Sequence, residues 1–270
     1  MAARVLVALL WSGVAALHIV GESARWVVVD KPHGVPCHAN SKGEGVLTLL
    51  RRQQVARGES DAAVKEYRLV HRLDDGTSGC LVVAKDRDAA ATLGSAFRER
   101  RVRKAYVALT ASEPKKKKAT IAGDLVKARR GAWKLDRSCS PGACACTVFT
   151  RTVGLGAPAP EAGDAARRLL VARPVTGKTH QIRVAAKSIG APLLGDGLYG
   201  GGNADRLYLH AAAICIPDLG LDARASPDSG ASFLSRRFAD AWSAVDLEEE
   251  LADDALPRAA REFLARQRVS

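Results

Sequence analysis

The segment YRLVHRLDDGTSGCLVVAKD, residues 67–86, places adjacent carboxylates in a turn between two predicted strands. The turn is rich in Asp, Gly, Thr and Ser, and it carries His71, Arg72, Asp74 and Asp75. Catalytic groups commonly lie on loops that rigid strands position. A carboxylate there could act as a nucleophile or as a base. The alternative is that Asp74 only braces the turn through hydrogen bonds.

A second segment, VTGKTHQIRVAAKSIGAPLLGDGLYGG at residues 175–201, supplies cations. Thr179, His180 and Arg183 are predicted on the first turns of a helix, with Thr179 as its N-cap. An arginine there can form a two-pronged ion pair with a carboxylate from another segment. The alternative is that this arginine binds phosphate or simply faces solvent.

A third segment combines positive charge with an aromatic side chain. Residues 98–104, RERRVRK, hold five basic residues and one acidic residue, and Tyr106 follows. The runs KKKK at 115–118 and KARRGAWKLDR at 127–137 add further cations. Basic residues interleaved with aromatic ones suit a nucleic-acid backbone and its bases, although such runs can also be solvated faces.

Composition restricts the class of protein. The 270 residues include 41 Lys and Arg against 29 Asp and Glu, a formal net charge of +12. Charged residues are 26% and apolar residues 47%, which excludes disordered, collagen-like and polytopic membrane proteins. The sequence pI near 9.7 favours a polyanionic partner, most simply nucleic acid. The sign reverses only at DLEEELADD, 246–254, which has six acidic residues.

Cysteines and the N-terminus carry weaker signals. The six cysteines form no C-x-x-C pair and have no histidine near the 139–146 cluster, so we expect reduced thiols and no metal site; they are Cys37, Cys80, Cys139, Cys144, Cys146 and Cys215. Residues 1–17, MAARVLVALLWSGVAAL, are an apolar run typical of either a targeting segment or a buried first strand. The compartment, including an organelle, stays open.

The elements that must position these residues are mostly strands. Runs at 26–29, 80–84, 104–110, 146–150, 168–173 and 206–216 predict strands. Helices are predicted from Asp88, as N-cap, to about 102, and from 179 to 189, where Gly190 and Pro192 end the second one. Many strands with few helices between them favour a mixed α/β (α+β) domain with a mostly antiparallel sheet.

These motifs together resemble the RluA-like pseudouridine synthases. The six motifs occur in the family's order and cover about residues 18–217; they are VVVDKPHGV, HRLDDGTSG with its following strand and AK, KAYVAL, TGKTHQIR, GDGLYG and RLYLHA. One motif alone would be weak, but six in order are highly specific. The resemblance implies a long, bent antiparallel sheet with helices around it, and an isomerase that converts uridine to pseudouridine in RNA.

The resemblance also implies roles for individual residues. Asp74 is the expected catalytic carboxylate, paired with Arg183, while Tyr106 packs against the target base and helps to remove its carbon-5 proton. Arg72 is expected to fill the gap left by the flipped nucleotide. We expect further RNA contacts from the surrounding cations and a histidine, namely Arg101, Arg103, Lys104, Lys178 and His180.

The reaction is redox-neutral and consumes no energy donor, so we expect no cofactor. The expected partner is structured RNA, rRNA or tRNA, bound by a monomer with no metal and no membrane contact. We expect the catalytic domain over 18–245 and a charged, helical tail over 246–270. Since the resemblance begins near residue 18, RNA affinity is expected to come from the catalytic domain's own basic surface.

Three departures from the family pattern concern substrate choice. Lys178 stands where the family usually has Arg, and Ala185 where it usually has His. The KKKK run and the 139–146 cysteine segment lie where the family has a variable RNA-gripping loop. None of these departures removes an expected catalytic group. A catalytically silent RNA-binding protein of the same fold stays an alternative. A carboxylate-based glycosidase is a weaker one, because neighbouring residues such as Asp74 and Asp75 make a poor catalytic pair: side chains of adjacent residues in an extended stretch face opposite ways.

Overall fold

The structure of the protein is a computed structural model that describes residues 16–41, 43–157 and 165–268. The targeting segment or first strand expected over 1–17 lies, up to residue 15, outside the described residues. Leu17 is buried; its backbone N–H donates to Oε1 of Gln53 at 2.7 Å, and Nε2 of Gln53 donates back to its carbonyl at 2.9 Å. The described chain therefore starts packed against the core.

The described residues form eleven strands and seven α-helices. The strands are β1 (His18–Glu22), β2 (Trp26–Lys31), β3 (Arg68–Leu69), β4 (Ser78–Ala84), β5 (Arg103–Thr110), β6 (Ala119–Lys127), β7 (Trp133–Asp136), β8 (Cys144–Gly154), β9 (Arg168–Pro174), β10 (Leu209–Ile216) and β11 (Leu221–Arg224). The helices are α1 (Val46–Ala56), α2 (Asp61–Lys65), α3 (Arg87–Arg98), α4 (Gln181–Ser188), α5 (Arg236–Ser243), α6 (Leu247–Leu251) and α7 (Arg258–Arg268).

The strands join one sheet in the order β1-β2-β4-β10-β5-β9-β8-β6-β7, with β3 also pairing with β4 and β11 with β10. Among these pairs, β4 and β10 run parallel and the others run antiparallel. The predicted mixed α+β class with a mostly antiparallel sheet is confirmed. Register shifts interrupt β1, β8 and β10, and irregularities of this kind bend and twist strands.

The neighbouring strands β2 and β4 are buried on both faces of the sheet, which explains their continuous apolar runs. Val27 and Leu81 face a large core that includes side chains of α1 and α4. Val28 and Val82 face a second core that includes α3. Because side chains alternate along a strand, one run of valines and leucines serves both layers. The turn before β4 is thereby fixed on a rigid support.

Two predicted N-caps are wrong. α3 begins at Arg87, and Asp86 caps it by accepting the N–H of Ala89 at 2.6 Å, so Asp88 lies inside the first turn. α4 begins at Gln181 and is preceded by His180 in a left-handed conformation, φ 55°, with no side-chain cap. The tight 176–180 turn, fixed by tertiary hydrogen bonds, displaces Thr179 from the cap position.

The predicted strand over 206–216 starts later than expected. β10 begins at Leu209. Just before it, the N–H of Tyr208 donates to the carbonyl of Leu194 at 2.9 Å, so the backbone there pairs with the 193–201 loop. The predicted stop of α4 is confirmed: the helix ends at Ser188, and Gly190 follows with φ +77°.

The expectation of six reduced thiols is wrong for one pair. Cys139 and Cys144 form a disulfide across the turn between β7 and β8. The N–H of Cys144 donates to the carbonyl of Ser140 at 3.1 Å, which folds the turn and brings the two Cα atoms to 4.8 Å, within disulfide reach. The other four cysteines are free thiols.

The acidic segment 246–254 packs against the sheet. Asp246 precedes α6 and its carboxylate accepts the N–H of Glu248 at 2.8 Å. Glu249 and Glu250 pair with Arg151 of β8 at 3.2 and 3.0 Å. α7 follows and places apolar side chains on β8. The negative charge of this segment is thus set directly against basic residues of the sheet.

Candidate functional site

Asp74 lies in the turn between β3 and β4, and backbone hydrogen bonds fix that turn. The N–H of Thr77 donates to the carbonyl of Asp74 at 2.9 Å, and the N–H of Gly34 donates to the carbonyl of Asp75 at 2.8 Å. Gly79, the second residue of β4, has φ +108° and lies so close to β10 that a Cβ there would meet the Ala211 carbonyl oxygen at 2.3 Å. The turn is therefore held from both sides.

Lys31 ties this turn to the loop after β2. Its side chain is fully buried, and its Nζ donates to the carbonyls of Pro32, Val35 and Asp75 at 2.9, 2.7 and 3.0 Å. Burial lowers the pKa of the ammonium to about 8. Three carbonyl partners compensate for this desolvation. Lys31 thus places the backbone next to Asp74 and is not itself exposed to a substrate.

Arg183, in the first turn of α4, joins two carboxylates. Its Nη1 lies 3.1 Å from Oδ2 of Asp74, and its Nε and Nη2 bind Oδ2 and Oδ1 of Asp196 at 2.7 and 2.9 Å. The side chain of Asp196 is fully buried, whereas that of Asp74 is 22% exposed. Burial lowers the pKa of Arg183, but the contacts with Asp196 and then with Asp74 raise it more, so the net shift is upward. The guanidinium is fixed by one carboxylate and presented to the other.

The GDGLYG loop holds Asp196 in place. The Asp196 carbonyl accepts the N–H groups of Tyr199, Gly200 and Gly201 at 3.2, 3.0 and 2.9 Å. Gly195 has φ +75°, and a Cβ there would lie 1.8 Å from the carbonyl oxygen of Arg206. Only glycine fits this approach without a shift of the backbone. The motif therefore supplies a rigid support for Arg183.

His180, which contacts Tyr199, also lies beside the Asp74 carboxylate. The backbone N–H of Trp133 donates to the Tyr199 hydroxyl at 2.9 Å, and that hydroxyl lies 2.9 Å from Nδ1 of His180. The hydroxyl hydrogen can then donate to Nδ1, which leaves the ring proton on Nε2, 3.8 Å from Oδ2 of Asp74. Burial lowers the pKa of His180, so the ring is neutral at physiological pH.

Gln181 holds the turn that carries His180 and Arg183. Its Oε1 accepts from Oγ1 of Thr176 at 2.6 Å and from the N–H of Lys178 at 3.0 Å. Its Nε2 donates to the carbonyl of Cys146 at 2.8 Å and to the hydroxyl of Thr147 at 3.0 Å. All four positions of this buried amide are used, so the turn is anchored to β8.

These groups line one cavity of about 510 Å³. Asp74, Tyr106, His180 and Arg183 all border it, together with Arg72. Tyr106 lies on β5 and is 9% exposed. Burial, and secondly the charge of Asp74, raises the pKa of its phenol, so the hydroxyl stays protonated. Asp75 does not line this cavity but lines an adjoining depression, which shares Arg72, Asp74, Thr179, His180 and Arg183 with it.

The predicted RNA-binding residues separate into two groups. Lys104 and Lys178 line the cavity with Arg72 and His180. Burial lowers the pKa of Lys104 to about 8, and its Nζ donates to the Thr176 carbonyl at 3.3 Å. Lys178 donates to the carbonyl of Gly142 in the disulfide-closed turn. The second group lies outside the cavity: Arg101 pairs with Asp218, and Arg103 pairs with Asp253.

Sequence reasoning left four site residues without a role, namely Lys31, Gln181, Asp196 and Tyr199. Asp196 and Tyr199 belong to GDGLYG, where two polar side chains between turn-forming glycines were the available signal. The described residues contain no group of three His, Cys, Asp or Glu side chains that could hold a metal ion. Within them, no helix has the length and apolarity to cross a membrane.

Comparison with known proteins gives a consistent family. Residues 25–188 match the family model described as RNA pseudouridylate synthase. An RNA pseudouridine synthase of Haemophilus influenzae is 37% identical over 200 residues, covering 73% of this chain and 81% of that protein. A ribosomal large subunit pseudouridine synthase C of Rickettsia conorii is 34% identical over 197 residues, covering 71% of this chain and 60% of that protein.

A solved structure has the same architecture. Human RNA pseudouridylate synthase domain containing 1 aligns with a TM-score of 0.60 and 28% identity, covering 78% of this chain and 83% of that one. The mixed, mostly antiparallel sheet is thus shared with a member of the same family. Family model, relatives and fold agree with one another, and the chain belongs to the RluA-like RNA pseudouridine synthases, a family of isomerases that act on RNA.

Proposed function

We propose that this protein converts uridine to pseudouridine in structured RNA, with Asp74 as the catalytic carboxylate. The observation that carries the proposal is the geometry of Asp74: a partly exposed carboxylate borders a 510 Å³ cavity and is bound by an arginine that a second, buried carboxylate holds in place. A cavity of this size is typical of small-molecule sites and accommodates a single flipped nucleotide.

The chemistry matches this arrangement. The bond between N1 of uracil and C1′ of ribose breaks, the base turns, and a bond forms between C5 and C1′; C5 loses a proton and N1 gains one. The sequence of steps is redox-neutral. A carboxylate can attack the sugar or the base, or abstract a proton, and all three routes need it ionised. Arg183, 3.1 Å away, stabilises that ionised form.

Two other side chains act on the nucleotide. Tyr106 lines the cavity and offers its ring as a stacking surface for the flipped uracil; its help in removing the carbon-5 proton stays a prediction. Arg72 is exposed at the cavity rim, where it can take the place that the base leaves in the RNA stack. Together these contacts offset the few kcal/mol that unstacking a base costs.

The substrate is structured RNA, and rRNA and tRNA are the classes we propose. The net charge of +12 favours a polyanion. Relatives with the name ribosomal large subunit pseudouridine synthase support rRNA. Pseudouridine mapping of ribosomal, transfer and organellar RNA, with and without this protein, identifies the site. An unchanged map would favour a silent RNA-binding protein.

The role of Asp74 is tested by Asp74→Ala against Asp75→Ala. We expect Asp74→Ala to abolish pseudouridine formation in the RNA identified by mapping while RNA affinity survives, because the carboxylate acts on the reacting nucleotide. Asp75→Ala, at the neighbouring carboxylate that lines only the adjoining depression, is the comparison variant and should retain turnover. Product from purified Asp74→Ala protein would show that another group is the catalyst.

A further inference from the structure

A second groove adjoins the active-site cavity. It has a volume of about 590 Å³ and lies between the start of β5, the end of β9 and helix α7. Five residues line both spaces: Arg100, Val102, Lys104, Pro174 and Val175. The groove is therefore a continuation of the cavity and not a separate depression on the surface.

The groove is strongly basic. Six basic side chains line it, against the carboxylates of Asp218 and Asp253; the six are Arg100, Arg101, Arg103, Lys104, Arg173 and Arg261. Both of these carboxylates are already engaged, Asp218 with Arg101 and Asp253 with Arg103. An excess of positive charge along a cleft concentrates anions and favours a polyanionic chain.

Helix α7 builds one wall of the groove. Ala260 and Leu264 of the helix, with Leu256 just before it, pack with Val148 and Val175. The centre of the Phe263 ring lies 5.7 Å from the Arg100 guanidinium carbon. Arg261 is exposed on the groove side of this helix. The family match ends at residue 188, so this wall is outside it.

We propose that this groove binds the phosphodiester backbone of the nucleotides next to the flipped uridine. The inference rests on the proposed function, because the RNA backbone on either side of a flipped nucleotide must run out of the cavity. The basic side chains that line the cavity and continue along the groove offer a path for that backbone. Asp253 is 70% exposed, and its ion pair with Arg103 is of the surface kind that contributes little, so a phosphate can replace it.

The binding test compares Arg261→Ala with Arg258→Ala, using a fluorescein-labelled nonauridylate as the probe. Arg258 is the matched control because it lies on the same helix, is 88% exposed and does not line the groove. We expect Arg261→Ala to weaken affinity by up to about fivefold, the scale of an exposed ion pair. The slope of log Kd against log salt should fall by about 0.7, one single-strand phosphate contact.

Probe length and a second variant pair give independent readouts. Uridine 5′-monophosphate reaches only the cavity, so wild type and Arg261→Ala should bind it equally. Asp253→Asn removes the anion that competes for Arg103 and should tighten nonauridylate binding by up to about fivefold, whereas Asp254→Asn should not. If the Arg261→Ala and Asp253→Asn proteins both bind nonauridylate like wild type, the proposal that the groove binds the RNA backbone is wrong.

Failure of this inference can be told apart from failure of the proposed function. If the protein forms pseudouridine but these variants bind nonauridylate like wild type, the proposed activity is supported and RNA binding in the groove is not. If the variants shift binding as expected but no pseudouridine forms, the groove binds RNA and the catalytic assignment fails.

Discussion

Arg183 binds two carboxylates that differ in accessibility. Asp196 is buried and accepts two hydrogen bonds from it, whereas Asp74 accepts one and keeps a free edge toward the cavity. The asymmetry has a physical meaning: the two-pronged bond fixes the orientation of the guanidinium, and the single bond leaves Asp74 able to move toward a substrate. Asp196 is therefore a positioning residue.

We expect Arg183→Met to lower kcat for pseudouridine formation by about a hundredfold, the scale of losing one preorganised electrostatic contact at an active site. RNA affinity should change far less, because the buried guanidinium contacts carboxylates. Lys187→Met is the control: Lys187 lies one turn later and stacks on Tyr199 at 5.8 Å from the ring centre. Wild-type turnover in Arg183→Met would remove the role of the ion pair.

At the scale of elements, His71 links the catalytic turn to α3. Its Nε2 accepts the N–H of Val82 at 2.9 Å, and its ring stacks on Phe97 with 4.6 Å between centres. Burial, and secondly the charge of Lys104, lowers the pKa of His71 to about 3. The ring therefore stays neutral in the folded protein at pH values where a histidine of the unfolded chain is already protonated.

This link predicts a loss of stability in acid. The unfolded histidine binds a proton near pH 6.5, while the folded one does so only near pH 3, so the free energy of unfolding falls as pH falls between those values. The slope contributed is at most about 1.4 kcal/mol per pH unit. Urea unfolding of His71→Gln between pH 6.5 and 4.5 should show a flatter dependence than wild type.

Gln is chosen because its amide oxygen can accept the Val82 N–H without titrating. His38→Gln, at an exposed histidine, is the matched control for the same substitution outside the core. If wild type and His71→Gln show the same pH dependence of the free energy of unfolding, His71 titrates alike in the folded and unfolded states.

Across the whole molecule, positive charge is spread beyond the cavity and its adjoining groove. Lys115–Lys118 are exposed, and the N–H of Lys115 donates to the carbonyl of Ile189 at the end of α4, 2.9 Å away. This exposed run is thus attached to the helix that carries Arg183. Three acidic side chains of 246–254 pair with cations of the sheet: Asp253 with Arg103 of β5, and Glu249 and Glu250 with Arg151 of β8.

Replacing all four lysines of 115–118 by alanine should weaken RNA binding and reduce its salt dependence, measured with the nonauridylate probe. The slope should fall by up to about 0.7 for every phosphate that a lysine of this run binds. A control with the same charge change replaces four exposed arginines that line neither the cavity nor the groove: Arg52, Arg57, Arg68 and Arg236. If both quadruple variants give the same slope, net charge alone acts and the run does not touch the RNA.

The sequence alone determined the fold class, and it predicted which residues would share the candidate site. Strand periodicity indicated a mostly antiparallel sheet, and the order of the motifs predicted that Asp74, Tyr106 and Arg183 share one site. The sheet follows from local chemistry, because apolar alternation and turn residues are properties of short segments, whereas the shared site came from the resemblance to the family. Helix ends were less certain, because Asp86 and His180 take the positions that nearby Asp88 and Thr179 could equally have filled.

Only the tertiary structure decided how that site is held and extended. Asp196 and Lys31 act through partners far away in sequence, and the Cys139–Cys144 bond depends on a turn that pairs two strands. Arg101 and Arg103 looked like free cations, yet Asp218 and Asp253 engage them. Such contacts join segments whose proximity arises from packing, and no local pattern encodes which distant carboxylate meets which cation.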